Sequence, residues 1–417
     1  MLNKPLKIAL MSPIFPPEMY TSASMCQELA QELVKRGHDV TVFTTNPNRP
    51  QGVIYPGYER KWRQESFENG YRLIRTWSWF IGAGRSGFQR IMESLSFGVV
   101  AGLQFAFDKR FDVMLHISWP ALCASLLTAA AKAKGVPSLY YIQDFLPEQA
   151  ENTGMIKPGG FLSSMLMFFD RLACQHSAGI LVLSDGFKDH VVTTRGTAGD
   201  KILVSPIHID TNEIYPVDRN NYWRAKHDID EETKIVLYSG TLGHVSGITI
   251  LKDVLPLISE DEKILFICIG EGPCKADIEM LVEQYPGKIM CLPFQEKEDY
   301  VFAMGACDIA LLTMDPKCGE GSVPSKMYAY MAAGRAVVSN APEGSENRRL
   351  ILSSRCGTVV SPDSPEQLAE GICKMLRDQN ALTEMGRHGR SYIEEHCTPT
   401  KAVDRLESFW AGLTGNH

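Results

Sequence analysis

The sequence predicts an α/β protein built from two successive, doubly wound parallel sheets. Short runs of Val, Ile and Leu without polar alternation recur along the 417 residues, as expected of strands buried on both faces. These runs alternate with amphipathic stretches of helical periodicity, and this alternation is typical of parallel sheets covered by helices. The length is consistent with two or three domains, since a domain averages about 150 residues.

The first half of the chain supplies six predicted strands and the helices between them. The strands are Leu6–Met11, Val40–Thr44, Asp112–Ile117, Ser138–Ile142, Gly179–Leu183 and Lys201–Val204. The helices are Ser22–Arg36, Ile91–Phe107, Ala121–Lys134, Phe161–Ser177 and Asp185–Arg195. Glycines such as Gly37 and Gly135 stand directly after helical stretches, where a helix commonly ends.

The alternation breaks between Ile207 and Thr233, a polar stretch that we interpret as a linker. It restarts with the predicted strands Lys234–Ser239, Lys263–Ile269, Lys288–Leu292, Asp308–Thr313, Ala336–Ser339 and Gly357–Val360. We therefore expect an N-terminal domain over residues 1–213 and a C-terminal domain over residues 214–397. The amphipathic stretch Thr398–Leu413 has no strand after it, so residues 398–417 are expected to form a helix that packs back on one of the domains.

Composition argues against several classes of protein. A net charge of −7 is unlike the basic footprint of a nucleic-acid-binding protein. The uncharged run Ser94–Phe107, which suggests a membrane span, has 14 residues, fewer than the ~18–20 that a helix needs. Met1–Leu10 enters a strand without a cleavage-site pattern, so we expect no secretory signal. Eleven scattered cysteines without C-x-x-C indicate reduced thiols in a cytoplasmic protein without a structural metal site.

One segment departs from the alternation. Tyr58–Arg90 holds seven Lys or Arg against three Glu, together with eight aromatic residues, and the charge-poor helix Ile91–Phe107 follows it. Cations and aromatic rings beside an apolar helix favour a peripheral contact with the inner face of the cell membrane through residues 58–107. The alternative, which the sequence leaves open, is a core helix preceded by a solvated basic loop.

Ligands of open α/β sheets bind beyond the carboxyl ends of the strands. Glycine-rich loops follow the first two predicted strands of the second half. The candidate ligand-binding residues there are Gly240, Thr241 and Gly243 in the first loop, and Gly270 and Gly272 in the second. Glycine lets the backbone approach a ligand closely. The second loop begins like a dinucleotide fingerprint, but Lys275 replaces its last glycine, which disfavours an NAD site.

The sharpest candidate is the run Ser322-Val323-Pro324-Ser325-Lys326, between a predicted strand and a helix that begins near Ser325. Pro324 and Ser325 suit the first turn and the cap of that helix. Lys326 would place an ammonium beside unpaired amides, an arrangement that binds phosphate. The alternative is an ordinary capped helix with a surface lysine.

Polar residues also follow the strands of the first half. Asp144 and Glu148 come after Ser138–Ile142, where a carboxylate is a candidate base or ligand anchor, although a helix cap is an equal alternative. His116 closes another strand, either as a catalytic or as a structural histidine. Glu18 ends the proline-rich turn after the first strand, which would line the same edge of the sheet.

Several motifs, in their order and spacing, resemble glycosyltransferase family 4, retaining enzymes of the GT-B architecture whose two Rossmann-like domains face each other across a cleft. The matching stretches are Leu33–Val42, Leu237–Gly243, Ile269–Pro273, Leu292–Phe294 and Met331–Val338. Gln143–Glu148 and Pro324–Lys326 resemble the branch of colanic-acid fucosyltransferases and O-antigen N-acetylfucosamine transferases.

The resemblance implies a metal-independent transferase of bacterial surface polysaccharide synthesis. The donor would be a nucleotide sugar, UDP-linked rather than GDP-linked, with no further cofactor, and the acceptor a polyprenyl-diphosphate-linked glycan. The donor diphosphate would lie on Gly240–Gly243 and Ser322–Lys326, and the base against Pro293 and Phe294. Asp144 and Lys326 are the expected catalytic residues. Glu18, His116 and Glu148 are expected on the acceptor side.

Two departures from the family pattern keep other functions open. Gly321 and Ala329 occupy the positions of the family's two glutamates, and no Arg or Lys follows Gly243, where His244 stands instead. A catalytically silent binding or scaffold subunit is therefore an alternative. A nucleotide-dependent oxidoreductase or epimerase is a second one, disfavoured by Lys275.

Overall fold

A computed structural model describes residues 4–49, 52–79, 87–117, 121–152, 154, 156–259, 262–315 and 323–414. It confirms the predicted α/β class with two sheets in which parallel pairing dominates. The chain divides into an N-terminal unit, Met1–Ile207 with Pro399–His417, and a C-terminal unit, His208–Thr398.

The N-terminal unit contains an eight-stranded sheet. Its strands are β1 (Lys7–Met11), β2 (Asp39–Thr45), β3 (Arg63–Glu68), β4 (Tyr71–Thr76), β5 (Val113–Ile117), β6 (Ser138–Ile142), β7 (Gly179–Val182) and β8 (Ile202–Val204). The strand order is β3-β4-β2-β1-β5-β6-β7-β8. The chain runs outward from β1 on one side and returns to β5 on the other. The topological switch point, where ligands of such sheets bind, therefore lies between β1 and β5.

Six helices connect these strands: α1 (Thr21–Lys35), α2 (Gly87–Phe107), α3 (Ala121–Ala133), α4 (Leu146–Asn152), α5 (Phe161–His176) and α6 (Asp185–Arg195). The residues that α2 contributes to the hydrophobic core include Phe97, Ala101 and Phe105, which pack against Phe43 of β2 and Ile74 of β4. One face of α2 therefore belongs to the hydrophobic core, as expected from the alternative in which this helix is a core helix rather than a membrane contact. Among the described residues, no helix is both long and apolar enough to cross a membrane.

The antiparallel hairpin of β3 and β4 was not among the predicted elements. Its cations serve the fold, because Arg63 and Arg72 both form ion pairs with Asp108, which is nearly buried. Arg75 is buried and donates to the carbonyl groups of Thr45 and Pro16 at 3.0 and 2.7 Å. These three arginines are therefore structural rather than a solvated loop.

The C-terminal unit contains a six-stranded parallel sheet. Its strands are β9 (Lys234–Ser239), β10 (Ile264–Ile269), β11 (Ile289–Leu292), β12 (Ile309–Leu312), β13 (Ala336–Asn340) and β14 (Gly357–Val360), in the order β11-β10-β9-β12-β13-β14. Its helices are α7 (Tyr222–Lys226), α8 (Leu251–Val254), α9 (Lys275–Gln284), α10 (Lys297–Ala306), α11 (Ser325–Ala332), α12 (Glu346–Ser354), α13 (Pro365–Leu376) and α14 (Gln379–His396). The switch point lies between β9 and β12.

The stretch interpreted as a linker is anchored to the C-terminal unit. It contains the short helix α7, whose Trp223 is fully buried. Arg219 donates to Asp308 at 2.7 Å, and Arg224 donates to the carbonyl group of Ala306 at 2.9 Å. These contacts make the residues before β9 part of the folded unit.

The last helix, α15 (Pro399–Thr414), belongs to the N-terminal unit. Arg36 and His38, which follow α1, both contact Glu407 of α15, at 2.8 and 3.0 Å. The Nδ1 atom of His38 accepts from the amide of Leu6 at 3.0 Å, so Nε2 carries the proton that is donated to Glu407. Trp410 is completely buried. Polar and apolar contacts thus both fasten α15 to this unit.

Candidate active site

The candidate site of the C-terminal unit lies at the carboxyl ends of β9 and β12. The loop after β9 begins at Gly240, and the chain after β12 leads to α11. Because these strands are neighbours and the chain leaves them in opposite directions, their loops diverge and leave a crevice. The sheet topology therefore brings together the two segments that the sequence analysis assigned to the diphosphate.

The two glycine loops of this unit pair with each other. The amides of Gly240 and Leu242 donate to the carbonyl groups of Ile269 and Glu271, both at 2.9 Å. A Cβ atom on Gly270 would lie 1.9 Å from the carbonyl oxygen of Gly240. The absence of a side chain at Gly270 therefore lets the two loops approach each other. The expected role of Gly270, to let the backbone approach a ligand, is not the one that the structure shows. The same correction applies to Gly272, where a Cβ would lie 2.3 Å from the oxygen of Leu242.

This pairing decides which amides are free for a ligand. The amide of Gly240, one of the expected phosphate donors, is used within the sheet extension. Successive amides of an extended chain point in opposite directions, so those of Thr241 and Gly243 point away from β10 and toward the β12 side. Neither donates to an acceptor within the described part of the chain. They are the two loop amides that remain available at the switch point.

Lys326 lies at this point, in the first turn of α11. Its ammonium donates to the hydroxyl of Tyr238 at 2.5 Å and lies 3.9 Å from the centre of that ring. Its stem passes Gly240, where a Cβ atom would lie 3.1 Å from Cε. Burial lowers the pKa of Lys326 to about 7. No carboxylate pairs with Lys326 among the described residues, so in that part of the chain its ammonium is bound only by Tyr238.

The residues before Lys326 differ in part from the prediction. The helix begins at Ser325, as expected, but Pro324 is its N-cap and no side chain caps it. Ser325 is therefore the first helical residue rather than the cap. Val323 is half-buried, whereas Ser322 lies outside the described residues.

The residues predicted to lie against the nucleobase, Pro293 and Phe294, follow the edge strand β11. Pro293 and Phe294 are both exposed, and 52 % of the Phe294 surface is accessible. Because β11 is two strands from β9, these two residues lie about 10 Å from the first glycine loop, at about 4.8 Å per strand. An exposed ring at this distance suits a nucleobase whose diphosphate lies near Lys326.

In the N-terminal unit, Asp144 follows β6 and keeps a solvent-exposed surface. Protein atoms nevertheless crowd its carboxyl group. Their desolvating effect raises the pKa of Asp144 to about 6, against the opposite effect of a hydrogen bond from Gln149 at 2.9 Å. A raised pKa in a carboxyl group that solvent still reaches is typical of a general base or a ligand anchor, so Asp144 stays a candidate for that role.

Glu148 is engaged in a different way from the acceptor-side role expected of it. It forms ion pairs with Arg195, whose side chain is fully buried, and with His190 at 2.9 Å. Burial acts to raise the pKa of Glu148, but these hydrogen bonds outweigh it and lower the pKa to about 2. Arg195 also contacts Asp170, whose other carboxylate oxygen accepts from Tyr140 at 2.6 Å. Through Arg195, Glu148 therefore connects α4 to α6 and to Asp170 of α5.

The other two expected acceptor-side residues are also structural. His116 is completely buried, donates or accepts at 3.1 Å with Thr128, and burial lowers its pKa to about 3. It lies inside the sheet and does not reach a ligand at its edge. Glu18 is buried, and its carboxylate accepts from the amides of Asn48 and Arg49 at 2.8 and 2.9 Å. We therefore remove both residues from the site.

Sequence reasoning missed Tyr238 and Arg195. Tyr238 stands in an apolar strand, KIVLYS, and within the stretch Leu237–Gly243, but no role of its own was predicted for it. A buried tyrosine hydroxyl needs a partner, and its place next to the last residue of β9 could have indicated a role at the strand end. Arg195 ends a helix, where a basic residue usually faces solvent, so no local signal marks it.

The part of the chain expected at a membrane shows exposed apolar residues in two places, at Trp62 and Phe67 near the cations and on the outer face of α2. Val99, Leu103 and Phe107 recur every fourth residue on α2 and are exposed, Phe107 to 88 %. Of the hairpin cations that were expected beside them, Arg63, Arg72 and Arg75 are used in internal contacts, whereas Arg60 and Lys61 are exposed. The membrane role of residues 58–107 stays a prediction, carried now by the outer stripe of α2.

Comparisons with known proteins agree with this architecture. The family model "Glycosyl transferase 4-like domain" matches residues 22–208, and the model "Glycosyl transferases group 1" matches residues 220–392. An Escherichia coli K12 protein described as a colanic acid biosynthesis glycosyl transferase is 23% identical over 381 residues, which cover 89% of this chain and 92% of that protein.

Solved structures show the same fold over nearly the whole chain. Sucrose-phosphate synthase from Thermosynechococcus elongatus superposes with a TM-score of 0.78 at 14% identity, covering 99% of this chain and 100% of that one. Anabaena HepE in complex with UDP superposes with a TM-score of 0.70 at 12% identity, covering 98% of this chain and 100% of that one. With two glycosyltransferase models matched in succession, this chain belongs to the glycosyltransferases of the GT-B fold.

Proposed function

We propose that this protein is a retaining glycosyltransferase that moves a sugar from a nucleotide-diphosphate donor to a lipid-linked glycan. The observation that carries the proposal is the ammonium of Lys326, which has no carboxylate partner among the described residues and lies at the switch point of its sheet. A desolvated cation without a counter-ion favours an anionic ligand, and a diphosphate offers charge and acceptor oxygens together.

This arrangement supports the chemistry of transfer. When the bond between the sugar C1 and the diphosphate oxygen breaks, negative charge grows on the leaving diphosphate. The ammonium of Lys326 and the amides of Thr241 and Gly243 would stabilise that charge more in the transition state than in the bound donor. The C1 atom then bonds to the acceptor hydroxyl oxygen, on the face that the leaving group occupied, while the proton of that hydroxyl passes to the departing diphosphate oxygen.

We propose that the cation of Lys326 makes a divalent metal unnecessary for transfer. Support comes from the position of its ammonium beside Tyr238 and Gly240, where the donor diphosphate is proposed to bind and a metal would otherwise neutralise charge. Transfer should accordingly proceed at an unchanged rate in excess EDTA. A requirement for Mg²⁺ or Mn²⁺ would contradict this part of the proposal.

A uridine nucleotide is the proposed donor carrier. The exposed ring of Phe294 supports a nucleobase site at a suitable distance from Lys326. UDP is bound in the HepE structure, which has the same fold. A thermal-shift panel of UDP-, GDP- and ADP-sugars tests this point. Stabilisation by UDP-sugars is expected, and stabilisation by GDP-sugars alone would refute it.

The proposed acceptor is a polyprenyl-diphosphate-linked glycan of bacterial surface polysaccharide, used at the cytoplasmic face of the membrane. Support comes from the Escherichia coli relative, which is described as acting in colanic acid biosynthesis, and from the exposed apolar stripe on α2. Asp144 would contact the donor sugar or the acceptor hydroxyl. Pull-down with vesicles that contain anionic lipid tests the membrane contact, and Phe107→Ser should weaken it.

The deciding experiment compares Lys326→Ala with Lys263→Ala in a donor-dependent transfer assay. Lys263 is exposed and paired with Glu232 at the opposite edge of the sheet, so it is a matched control for loss of a lysine. We expect Lys326→Ala to lower turnover about 10²–10³-fold, as for removal of a transition-state donor. The control should keep its activity. Equal rates in both variants would refute the assignment of Lys326.

A silent binding subunit remains a second candidate because of one observation. Ala329, which stands where the family has a glutamate, is buried in α11 one turn after Lys326 and offers no polar group. Such a subunit would bind UDP but neither transfer nor hydrolyse a donor. The transfer assay and a UDP-binding assay together separate it from the enzyme.

A further inference from the structure

The side chain of Tyr238 touches both parts of the proposed diphosphate site. Its hydroxyl accepts from the ammonium of Lys326 at 2.5 Å and donates to the carbonyl oxygen of Thr241 at 2.7 Å. Its ring lies under the same ammonium, 3.9 Å from its centre. One buried residue therefore links the cation to the loop whose amides remain available.

The contact with Thr241 fixes a peptide plane. The carbonyl group of Thr241 and the amide of Leu242 belong to one peptide unit, and that amide donates to the carbonyl group of Glu271 at 2.9 Å. The peptide unit is thus held at both ends, by Tyr238 and by the second glycine loop. Fixing this unit also fixes the directions of the flanking amides of Thr241 and Gly243.

The contact with Lys326 stabilises a charge that has no carboxylate partner among the described residues. An ammonium removed from water needs an acceptor, and within the described residues the Tyr238 hydroxyl is the acceptor that Lys326 has. The face of an aromatic ring adds an attractive quadrupole, worth most where water is excluded. Without these contacts the lysine stem would be free to adopt other rotamers.

We infer that Tyr238 is a positioning residue that holds the Lys326 ammonium and the Thr241–Gly243 amides in the arrangement that receives the donor diphosphate. The inference rests on the proposed function. Tyr238 would thus preorganise the site, because an incoming diphosphate would meet a cation and two amides that are already in place.

The experiment compares Tyr238→Phe, which keeps the ring and removes the hydroxyl, with Tyr222→Phe as control. Tyr222 is a hydrogen-bonded tyrosine of the same unit whose hydroxyl contacts Asp299, away from the site. UDP affinity is measured by calorimetry between pH 6.5 and 9. Loss of a hydrogen bond to a charged group predicts about tenfold weaker UDP binding for Tyr238→Phe and none for the control.

The pH dependence separates positioning from mere folding support. The titratable groups facing the ammonium among the described residues are Tyr238 itself and the thiol of Cys268 on β10, and burial raises the pKa of both above this range. Changes in UDP affinity above pH 7 therefore report on Lys326. Because the hydroxyl stabilises the charged lysine, its removal should move the decline in affinity to lower pH.

The outcomes distinguish this inference from the proposed function. Weaker binding together with an unchanged pH dependence would show that Tyr238 only supports the fold, and would overturn the inference. Unchanged affinity and unchanged pH dependence in Tyr238→Phe would overturn it as well, provided that Lys326→Met abolishes UDP binding. If Lys326→Met binds UDP like the unaltered protein, the proposed donor site itself is wrong.

Discussion

Replacing Lys326 with methionine should stabilise the fold, and more so at low pH. Methionine keeps an unbranched apolar stem and removes the ammonium. Burial lowers the pKa of Lys326 from 10.5 to about 7, so between these values the unfolded chain binds more protons than the folded protein. Stability therefore decreases as the pH falls through this window, and below pH 7 the full cost of the buried charge is present.

The size of the effect follows from the same shift. One pKa unit corresponds to about 1.36 kcal/mol, which sets a ceiling of about 5 kcal/mol on the cost of the charge. Lys326 is only half-buried, so solvent screens part of that cost. We expect Lys326→Met to gain about 2 kcal/mol at pH 6 and about 1 kcal/mol at pH 9, where the folded lysine is already neutral.

Calorimetry at both pH values measures this gain. One kcal/mol corresponds to about 2–4 °C in the melting temperature of a domain of this size. The variant should therefore melt about 4–8 °C higher than the unaltered protein at pH 6, and about half as much higher at pH 9. Lys263→Met, at an exposed ion pair, should show no such pH-dependent gain. A gain for Lys326→Met that is equal at both pH values, or a loss, would show that its ammonium is well solvated.

Three other substitutions test the remaining features. Asp144→Asn should lower kcat/KM at least about 10²-fold. Because the pKa of Asp144 is about 6, the unaltered enzyme should lose activity on acidification, and the variant should not. A pH–rate profile from pH 5 to 8 measures both effects. Arg195→Met should reduce the free energy of unfolding by about 3–5 kcal/mol in denaturant titrations, because it leaves the buried Asp170 and the half-buried Glu148 without their shared cation. An unchanged midpoint would contradict the structural role of Arg195. Gly270→Ala should weaken UDP binding by displacing the facing loop, whereas Gly287→Ala, where a Cβ meets nothing within 4 Å, should leave UDP affinity intact.

The alternation of apolar runs and amphipathic stretches was sufficient to predict the fold class because each buried parallel strand carries its own local signal. The hairpin of β3 and β4 was missed for the opposite reason. The edge strand Arg63–Glu68 has the sequence RQESFE, and its side chains are mostly exposed, so it shows no apolar alternation. Its register is determined by pairing with β4 and by ion pairs to Asp108, 45 residues from Arg63.

The site was predictable only in part. Helix-start chemistry and the resemblance pointed to Lys326, because these signals are contained in a few neighbouring residues. Which amides are free could not be predicted, since the amide of Gly240 is used by a carbonyl group some thirty residues away, at Ile269. The same limit applies to His116, whose burial depends on helices and strands packed around it.

Because α15 completes the N-terminal unit, that unit is discontinuous in the chain. Its first part ends at Ile207 and its last helix begins at Pro399. A ribosome adding about 5–20 residues per second needs roughly 10–40 s to synthesise the stretch between them. During that interval the surface that receives Trp410 and Glu407 is without its cover, while the C-terminal unit can already fold. The N-terminal unit of the nascent chain therefore needs protection until α15 has been synthesised. Deletion of α15 would destabilise this unit, although it is synthesised first.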